Sequence, residues 1–229
     1  MAEKNAHPLT WHCGEQPFSE KFGDHFYSTG DGRAECAHVY LGGNGLPARW
    51  RGTESFTIGE LGFGTGLNFL ETWRQWRKNR HPVQQLRFVS FEAFPMSADD
   101  AARALSSWPE LEPLSGALIA NWAAALKGPS PMDEQTVLHV VCADALAGVG
   151  AWQGAADAWY LDGFSPAKNP DMWSAPLMRA VYDHTAPGGT FASYTAAGFV
   201  RKNLQQAGFH VERTPGFGKK RHMICGHKD

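Results

Sequence analysis

From residue 55 onward, short apolar runs alternate with stretches whose apolar residues recur every three or four positions. "SFTIGE" has the length of a strand, and "LNFLETWRQWRK" sets Leu67, Leu70, Trp73 and Trp76 at helical spacing. "LRFVSFE" predicts a second strand. "SADDAARAL" opens on Ser97 and two early acids, as a helix N-terminus does. "VLHVVCAD" and "DAWYLD" predict the third and fourth strands. Residues 171–185 predict a helix stopped by Pro187, Gly188 and Gly189, followed by a fifth strand in "TFASYT". "AAGFVRKNLQQAG" predicts a helix ending on Gly208, and "HVERT" and "RHMICG" an antiparallel pair at one sheet edge. Such alternation predicts an α/β fold, a mostly parallel, doubly wound sheet covered on both faces.

Residues 1–54 break this rhythm. "HFYSTGDGRAECAHVYLGGNGL" places aromatic and β-branched residues around Gly-Asp-Gly and Gly-Gly-Asn-Gly, which predicts a β-hairpin extension. The expected organisation is an N-terminal β extension (1–54) before an α/β domain (55–229).

Composition narrows the class. With 43% apolar and 19% charged residues, the 229-residue chain suits a well-buried core. No apolar run approaches the roughly 20 residues that span a bilayer, and no membrane association is expected. The N-terminus lacks the pattern of a secretory signal. Cys13, Cys36, Cys142 and Cys225 are far apart and form no CxxC pair, so reduced thiols in a cytoplasmic protein are expected rather than a metal site. His12 beside Cys13 reads as loop chemistry. A net charge of −2 means that any nucleic-acid binding must come from a local patch.

Ligands of such sheets bind at the carboxyl ends of the strands. After the first strand, Gly62, Gly64 and Gly66 form a GxGxG turn entering a helix. Glycine permits positive φ and close approach of backbone to ligand. After the second strand comes Glu92, placed to accept from ribose hydroxyls. Asp144 follows the third and Asp162 the fourth. Each feature alone is ordinary, since a glycine loop is usually a tight turn and a strand-end acid usually a cap. Together, at one end of consecutive strands, they point to a nucleoside-containing cofactor. The GxGxG spacing and Glu60, two residues before Gly62, favour S-adenosylmethionine over NAD. A sulfonium suits an acidic site better than a pyrophosphate does. Asn68, at the start of the helix, joins this set of candidate cofactor contacts.

"FTIGELGFGTGLNFLETW", "VSFEAFP", "WYLDGFSPAKNPDMW", "YTAAGFVRKNLQQAGF" and "GFGKKRHM" together resemble the methyltransferase half of the MnmC family of bacterial tRNA-modifying enzymes. The similarity runs from about Asp24 to the C-terminus. It implies a Rossmann-like class I methyltransferase. It also implies methyl transfer from S-adenosylmethionine to the primary amine of 5-aminomethyl-2-thiouridine at the wobble position of the tRNA anticodon loop, giving 5-methylaminomethyl-2-thiouridine. Family members continue into a flavin-dependent oxidase. No second glycine fingerprint follows here, so either a stand-alone enzyme or one half of a longer one is expected, and a separate flavin oxidase is a candidate upstream partner. The resemblance places the adenosyl group over the glycine loop with Glu92 on the ribose, Asp144 near the adenine and Asp162 facing the methyl group. It also implies that the N-terminal region, with Tyr27 and Glu35, closes over the cofactor; ordinary hairpin surface is the alternative for that pair.

"WYLDGFSPAKNPDMW" then acquires a purpose. "DGFSP" is like the (D/N)PP(Y/F) loops of amino-methylating enzymes, without their first proline. A uracil carrying an amine must leave its stack to reach a buried methyl donor. Phe164, Trp173 or Pro166 is expected to cover its face. Asp162 is expected to hold the amine, its alternative being a loop cap, and Lys168 to be solvated, its alternative being a phosphate contact. Between 201 and 222, Arg201, Lys202, Arg213, Lys219, Lys220 and Arg221 face one acid, Glu212. The loop around Lys219, Lys220 and Arg221 is the candidate grip on anticodon phosphates. The cations of "RQWRKNRH" instead complement a helix end. A small-molecule amine methyltransferase and a non-catalytic RNA-binding module remain as alternatives.

Overall fold

In the computed structural model, which describes residues 9–12, 14, 16–28 and 30–229, the apolar runs line up as strands of one sheet. Strands β4 (Ser55–Leu61), β5 (Gln85–Phe91), β7 (Thr136–Val141), β8 (Ala156–Leu161) and β9 (Thr185–Ser193) pair in parallel. β6 (Ser130–Asp133) pairs antiparallel to β7 at one edge. β11 (His222–His227) and then β10 (His210–Pro215) pair antiparallel beyond β9 at the other. The strand order is β10-β11-β9-β8-β4-β5-β7-β6. The chain therefore winds from β4 toward β7, then returns to place β8 on the other side of β4. The seam between β4 and β8 is the topological switch point, where such sheets open a crevice for ligands.

Helices α2 (Leu67–Asn79), α3 (Ala98–Leu105) and α4 (Leu114–Ala125) pack over one face; α5 (Ala145–Ala151), α6 (Ala175–Asp183) and α7 (Gly198–Ala207) pack over the other. Period-two alternation divides the strand residues between them: Ala158 and Tyr160 face the first layer, Trp159 and Leu161 the second. Leu67, Leu70, Trp73 and Trp76 are all buried, as their spacing predicts. Ser97 caps α3 by accepting from Asp100 N, and Gly208 closes α7 in the left-handed region.

Three details differ from the sequence reading. Helix α4, "LSGALIANWAAA", is apolar on most sides, so its alanines hide the period that would announce it. Pro187, Gly188 and Gly189 do not stop a helix: α6 ends at Asp183, and they lie inside β9 where its pairing with β8 shifts register. The N-terminal hairpin lies elsewhere. A small antiparallel sheet, β1 (Leu9–His12), β2 (Gln16–Ser19) and β3 (Asp24–His25), precedes it. "GDGRAECAHVYLGG" is helical, as α1 (Gly32–Cys36) running into a π-helical stretch, Ala37–Gly42. Asp31 is not a hairpin turn residue but an N-cap, accepting from Ala34 N at 3.0 Å. The β-branched and aromatic residues that suggest strands, Val39 and Tyr40, are buried in the core of the first layer. Cys13 lies outside the described residues.

Candidate active site

The turn after β4 is built on positive φ at Gly62 (+81°), Gly64 (+53°) and Gly66 (+78°), the last at the N-cap of α2. It is tied down on both sides. Gly62 N donates to Phe91 O at 2.9 Å. The Glu92 carboxylate accepts from Gly64 N (3.1 Å) and Phe94 N (2.8 Å). Glu92 thus holds the glycine loop against the end of β5 while lining the cavity above it. Burial pushes its carboxyl above the usual range, and the surrounding backbone N–H groups oppose that shift.

That cavity, of about 850 Å³, lies at the switch point. Its floor is Asp162, directly after β8. Asn68 Nδ2 donates to Asp162 Oδ2 at 2.8 Å, Gly163 N donates to Oδ1 at 2.8 Å, and the Tyr40 hydroxyl donates to the same carboxylate. Desolvation dominates even so, and the Asp162 carboxyl is pushed from 3.8 up to about 6. At neutral pH it is ionised, with most of its acceptor positions filled by fixed donors.

Most of the candidate residues converge here. Gly62, Gly64, Asn68, Glu92, Asp144, Asp162, Phe164, Tyr27, Glu35 and Lys220 all line the cavity. Asp144 lines the cavity and also caps α5, accepting from Leu146 N (3.0 Å) and Ala147 N (3.2 Å).

Several candidates lie elsewhere. Glu60 is fully buried and off the cavity wall. It accepts from Ser90 Oγ (2.6 Å) and Asn68 Nδ2 (3.1 Å), so it reaches the site only by orienting Asn68. Trp173 is equally buried, in the core of the second layer, where its indole N–H donates to Phe164 O at 3.1 Å. It props the loop from behind and offers no face to a base. Pro166 is buried and off the wall as well. The aromatic surface comes instead from the N-terminal segment: Phe22 stacks on Phe164 at 4.6 Å, and Phe26 meets it edge-on at 5.1 Å. Lys168 is not free in solvent. It bonds Gly23 O and pairs with Asp24 at 3.1 Å, while Ser165 N donates to Asp24 Oδ2 at 3.0 Å. These contacts clip β3 onto the "DGFSP" loop and hold Phe22 and Phe26 over the site. Lys220 pairs with Glu35 at 2.7 Å while remaining exposed, as are its neighbours Lys219 and Arg221. Two cations of "RQWRKNRH" are structural, Arg74 pairing with Glu71 and Arg80 with Asp133, while Arg77 and Lys78 are exposed in the last turn of α2.

Tyr40 and Tyr194 are functional candidates that the sequence pattern does not announce. Tyr194 follows β9 directly, so the strand-end rule that selects Asp162 reaches it too. Its hydroxyl donates to Gly163 O at 2.9 Å. Tyr40 is hidden in the stretch whose composition mimics a hairpin.

A glycine loop entering a helix, an acid after the next strand and a half-buried acid across the switch point define a Rossmann-like class I methyltransferase. The donor set fits the cofactor. The described lining residues carry two lysines and no arginine among several carboxylates, unlike a pyrophosphate site, and a Cβ on Gly64 would sit 3.3 Å from Phe26 across the cavity. A family model described as S-adenosyl-L-methionine-dependent methyltransferase matches residues 109–229, and the chain belongs to that family. S-adenosylmethionine is its cofactor. Among curated proteins, it is 43% identical over 98% of its length to the tRNA 5-methylaminomethyl-2-thiouridine biosynthesis bifunctional protein MnmC of Caulobacter sp. (strain K31), and 43% identical over 95% to the MnmC protein of Chromohalobacter salexigens. It spans only 39% and 32% of those relatives' own length. Among solved structures, MNMC2 from Aquifex aeolicus superposes with a TM-score of 0.76 over 99% of this chain and 72% of that one, at 22% identity, and shares the fold.

Proposed function

We propose that this chain methylates the primary amine of 5-aminomethyl-2-thiouridine at the tRNA wobble position. The observation that carries this reading is Asp162, a half-buried carboxylate at the switch point beneath aromatic side chains. The identity to MnmC proteins over nearly the whole chain supports the choice of substrate.

S-adenosylmethionine supplies an electrophilic methyl group; the chain must deliver a neutral amine to it. An alkylammonium has an ordinary pKa of about 10.4 and no lone pair for attack. The ionised Asp162 attracts this cation, and the donors on both its oxygens fix where the nitrogen settles. With Asp162 titrating near 6, taking the proton outright is uphill by about 6 kcal/mol, because each unit of difference in pKa is worth about 1.4 kcal/mol. Asp162 is therefore chiefly an orienting group. Desolvation under Phe164, Phe22 and Phe26 lowers the ammonium's affinity for its proton, which leaves for solvent before transfer. Holding the nitrogen in line supplies acceleration through orientation.

Incubation with labelled cofactor and tRNA bearing 5-aminomethyl-2-thiouridine, followed by nucleoside analysis, should place label in 5-methylaminomethyl-2-thiouridine. Equal turnover of simple amines without RNA would instead indicate a small-molecule enzyme. A flavin oxidase, in a longer form of the chain or separate from it, would supply the free amine.

The exposed Lys219 and Arg221 are proposed to grip anticodon phosphates. Changing both to alanine should raise KM for tRNA and reduce the slope of log affinity against log salt by up to about two units, somewhat under one per phosphate contact. Affinity for S-adenosylmethionine should not change. An unaltered salt slope would place the RNA on another face.

A further inference from the structure

We infer that His210, His227 and Asp229 bind a divalent transition metal of the class that favours imidazole, zinc first among them. The site lies apart from the cavity and rests on neither the cofactor nor the RNA.

The two histidines face each other across the β10–β11 hairpin, where His210 and His227 form the outermost of six register pairs. The loop that carries Lys220 to the cavity is at the other end of the hairpin. The imidazole rings stack with centroids 4.9 Å apart and planes 17° from parallel. Asp229 completes the group. His210 Nε2 meets Asp229 Oδ2 at 3.0 Å, and His227 Nε2 meets Oδ1 at 3.7 Å. One carboxylate thus reaches both imidazoles, one through each oxygen. The three side chains each offer a donor atom within 4.8 Å of the others. Zinc, with bonds of about 2.0–2.1 Å to nitrogen and oxygen, sets neighbouring tetrahedral ligands roughly 3.3 Å apart. The two distances to Asp229 bracket that spacing. All three side chains are exposed, so small rotations suffice to seat the ion.

The backbone brings these ligands together. The β ladder fixes the histidines opposite each other. Lys228, between His227 and Asp229, is anchored: its N donates to Gly189 O at 2.9 Å, and its Nζ donates to Tyr182 O (2.9 Å) and Thr185 O (2.8 Å). Alternation then returns Asp229 to the face of His227 while holding the lysine's charge on the other face. On the β9 side, Arg49 is committed to Thr190 and to the carbonyls of Asp157 and Gly188. Glu212 lies two residues from His210 on the same face of β10 and adds negative potential. A surface ion pair needs one histidine and one acid; a second histidine on the acid's other oxygen makes a chelate. Two imidazoles and a carboxylate suit zinc, nickel or copper, whereas magnesium and calcium take oxygen shells. The bound ion would tie the edge strand β10 to β11 and to the chain beyond it. The cysteine spacing that argues against a zinc site does not bear on histidines seventeen positions apart that a hairpin joins.

Calorimetry and melting curves of the untagged, chelator-stripped chain test this. Zinc should bind, and at a free concentration about ten times its Kd should raise Tm by roughly 3–6 °C. Magnesium should do neither. His210→Gln and His227→Gln should each weaken zinc at least about 10-fold, since one of three protein ligands is lost. The double variant should abolish the zinc-dependent rise in Tm. Because these side chains are exposed, the metal-free melting curves should stay close to that of the unmodified chain, which shows that the variants are folded. Zinc held elsewhere persists in the variants and is subtracted. A chain that binds no zinc, variants that respond to zinc as the unmodified chain does, or magnesium that stabilises as strongly as zinc would each overturn the site and leave a surface contact of Asp229 with two histidines.

Discussion

Asp162→Asn is expected to slow methyl transfer by roughly 10²-fold, the scale of a reacting nitrogen no longer held in line, while making the protein harder to unfold at neutral pH. Both effects come from one ionised group. The Asp162 carboxyl is raised from 3.8 to about 6 in the folded chain, so the fold binds a proton there more tightly than the unfolded chain does. Its contribution to stability is complete below about pH 3.8 and disappears as pH rises through about 6. At pH 8 the half-buried carboxylate costs the fold at most about 3 kcal/mol, the free-energy equivalent of that rise in pKa. The asparagine carbonyl can still accept from Gly163 N and no charge remains to be desolvated, but the new amide nitrogen meets Asn68 Nδ2 donor to donor, which offsets part of the gain. Melting should therefore rise by at most a few degrees at pH 8, since 1 kcal/mol is worth roughly 2–4 °C in a chain of this size, and the gain should shrink as pH falls from about 6 to about 3.8 and be absent below that. Activity should move the other way. The parent rate should fall as pH drops below about 6 and Asp162 takes up its proton. The variant should show no such limb, and its residual rate should climb with alkalinity as solvent supplies neutral amine. Single-turnover rates across pH, with melts on the same samples, measure both. A fully active Asp162→Asn protein would remove the carboxylate from the reaction and leave it as a cap on the loop.

The strand ends are legible in the sequence because a parallel sheet writes them plainly. Apolar runs such as "LRFVSFE" stop at the acid or glycine that enters the cavity, and Glu92, Asp144, Asp162 and the glycine loop follow from that rule. Side-chain direction is harder to read. Glu60 sits one residue inside β4, on the same face as Ile58, paired in register with Ser90 and Tyr160. Period two sends it beneath α2 and not into the cavity. Trp173 resembles a wall residue because it neighbours Phe164 in sequence, but a short 3₁₀ turn, Pro170–Trp173, rotates it into the core. The true partners of Phe164 come from residues some 140 positions earlier. No local pattern announces such a contact, because it depends on Asp24 reaching Ser165 and Lys168. Helix α1 escapes a sequence reading for a chemical reason: a Gly-Asp-Gly that reads as a turn serves equally as an N-cap, and burial of the residues that follow decides between them.

Gly64→Val should abolish measurable binding of S-adenosylmethionine, a loss of at least roughly 100-fold, in a chain that still folds. At φ +53°, Gly64 occupies the left-handed region, which costs a side chain about 1–2 kcal/mol and is a true outlier for a β-branched one. Steric effects add to that cost. The new Cβ would lie 3.3 Å from Phe26, already tight, and valine's two methyl groups extend further into the cavity that the cofactor must fill. Backbone relief is costly as well, because Gly64 N donates to Glu92 at 3.1 Å, and turning the peptide away would release the acid expected to meet the ribose. The fold should tolerate the change better than the site does. Gly64 lies on the cavity wall, whereas a Cβ on Gly66 would meet Leu118 at 2.9 Å and Phe63 at 3.1 Å inside the core. Gly64→Ala separates the causes. It carries the left-handed cost with a single methyl group and should lose affinity about 3- to 30-fold, from roughly 0.7–2 kcal/mol of strain and contact. Glu92→Gln, which keeps an acceptor but removes the charge, should fall in a similar range. Calorimetry on the three variants, each checked by its melting curve, gives the ranking. A folded Gly64→Val protein with parental affinity would mean that the adenosyl group does not lie over this loop, and Glu92 would then be only the peg that fastens it.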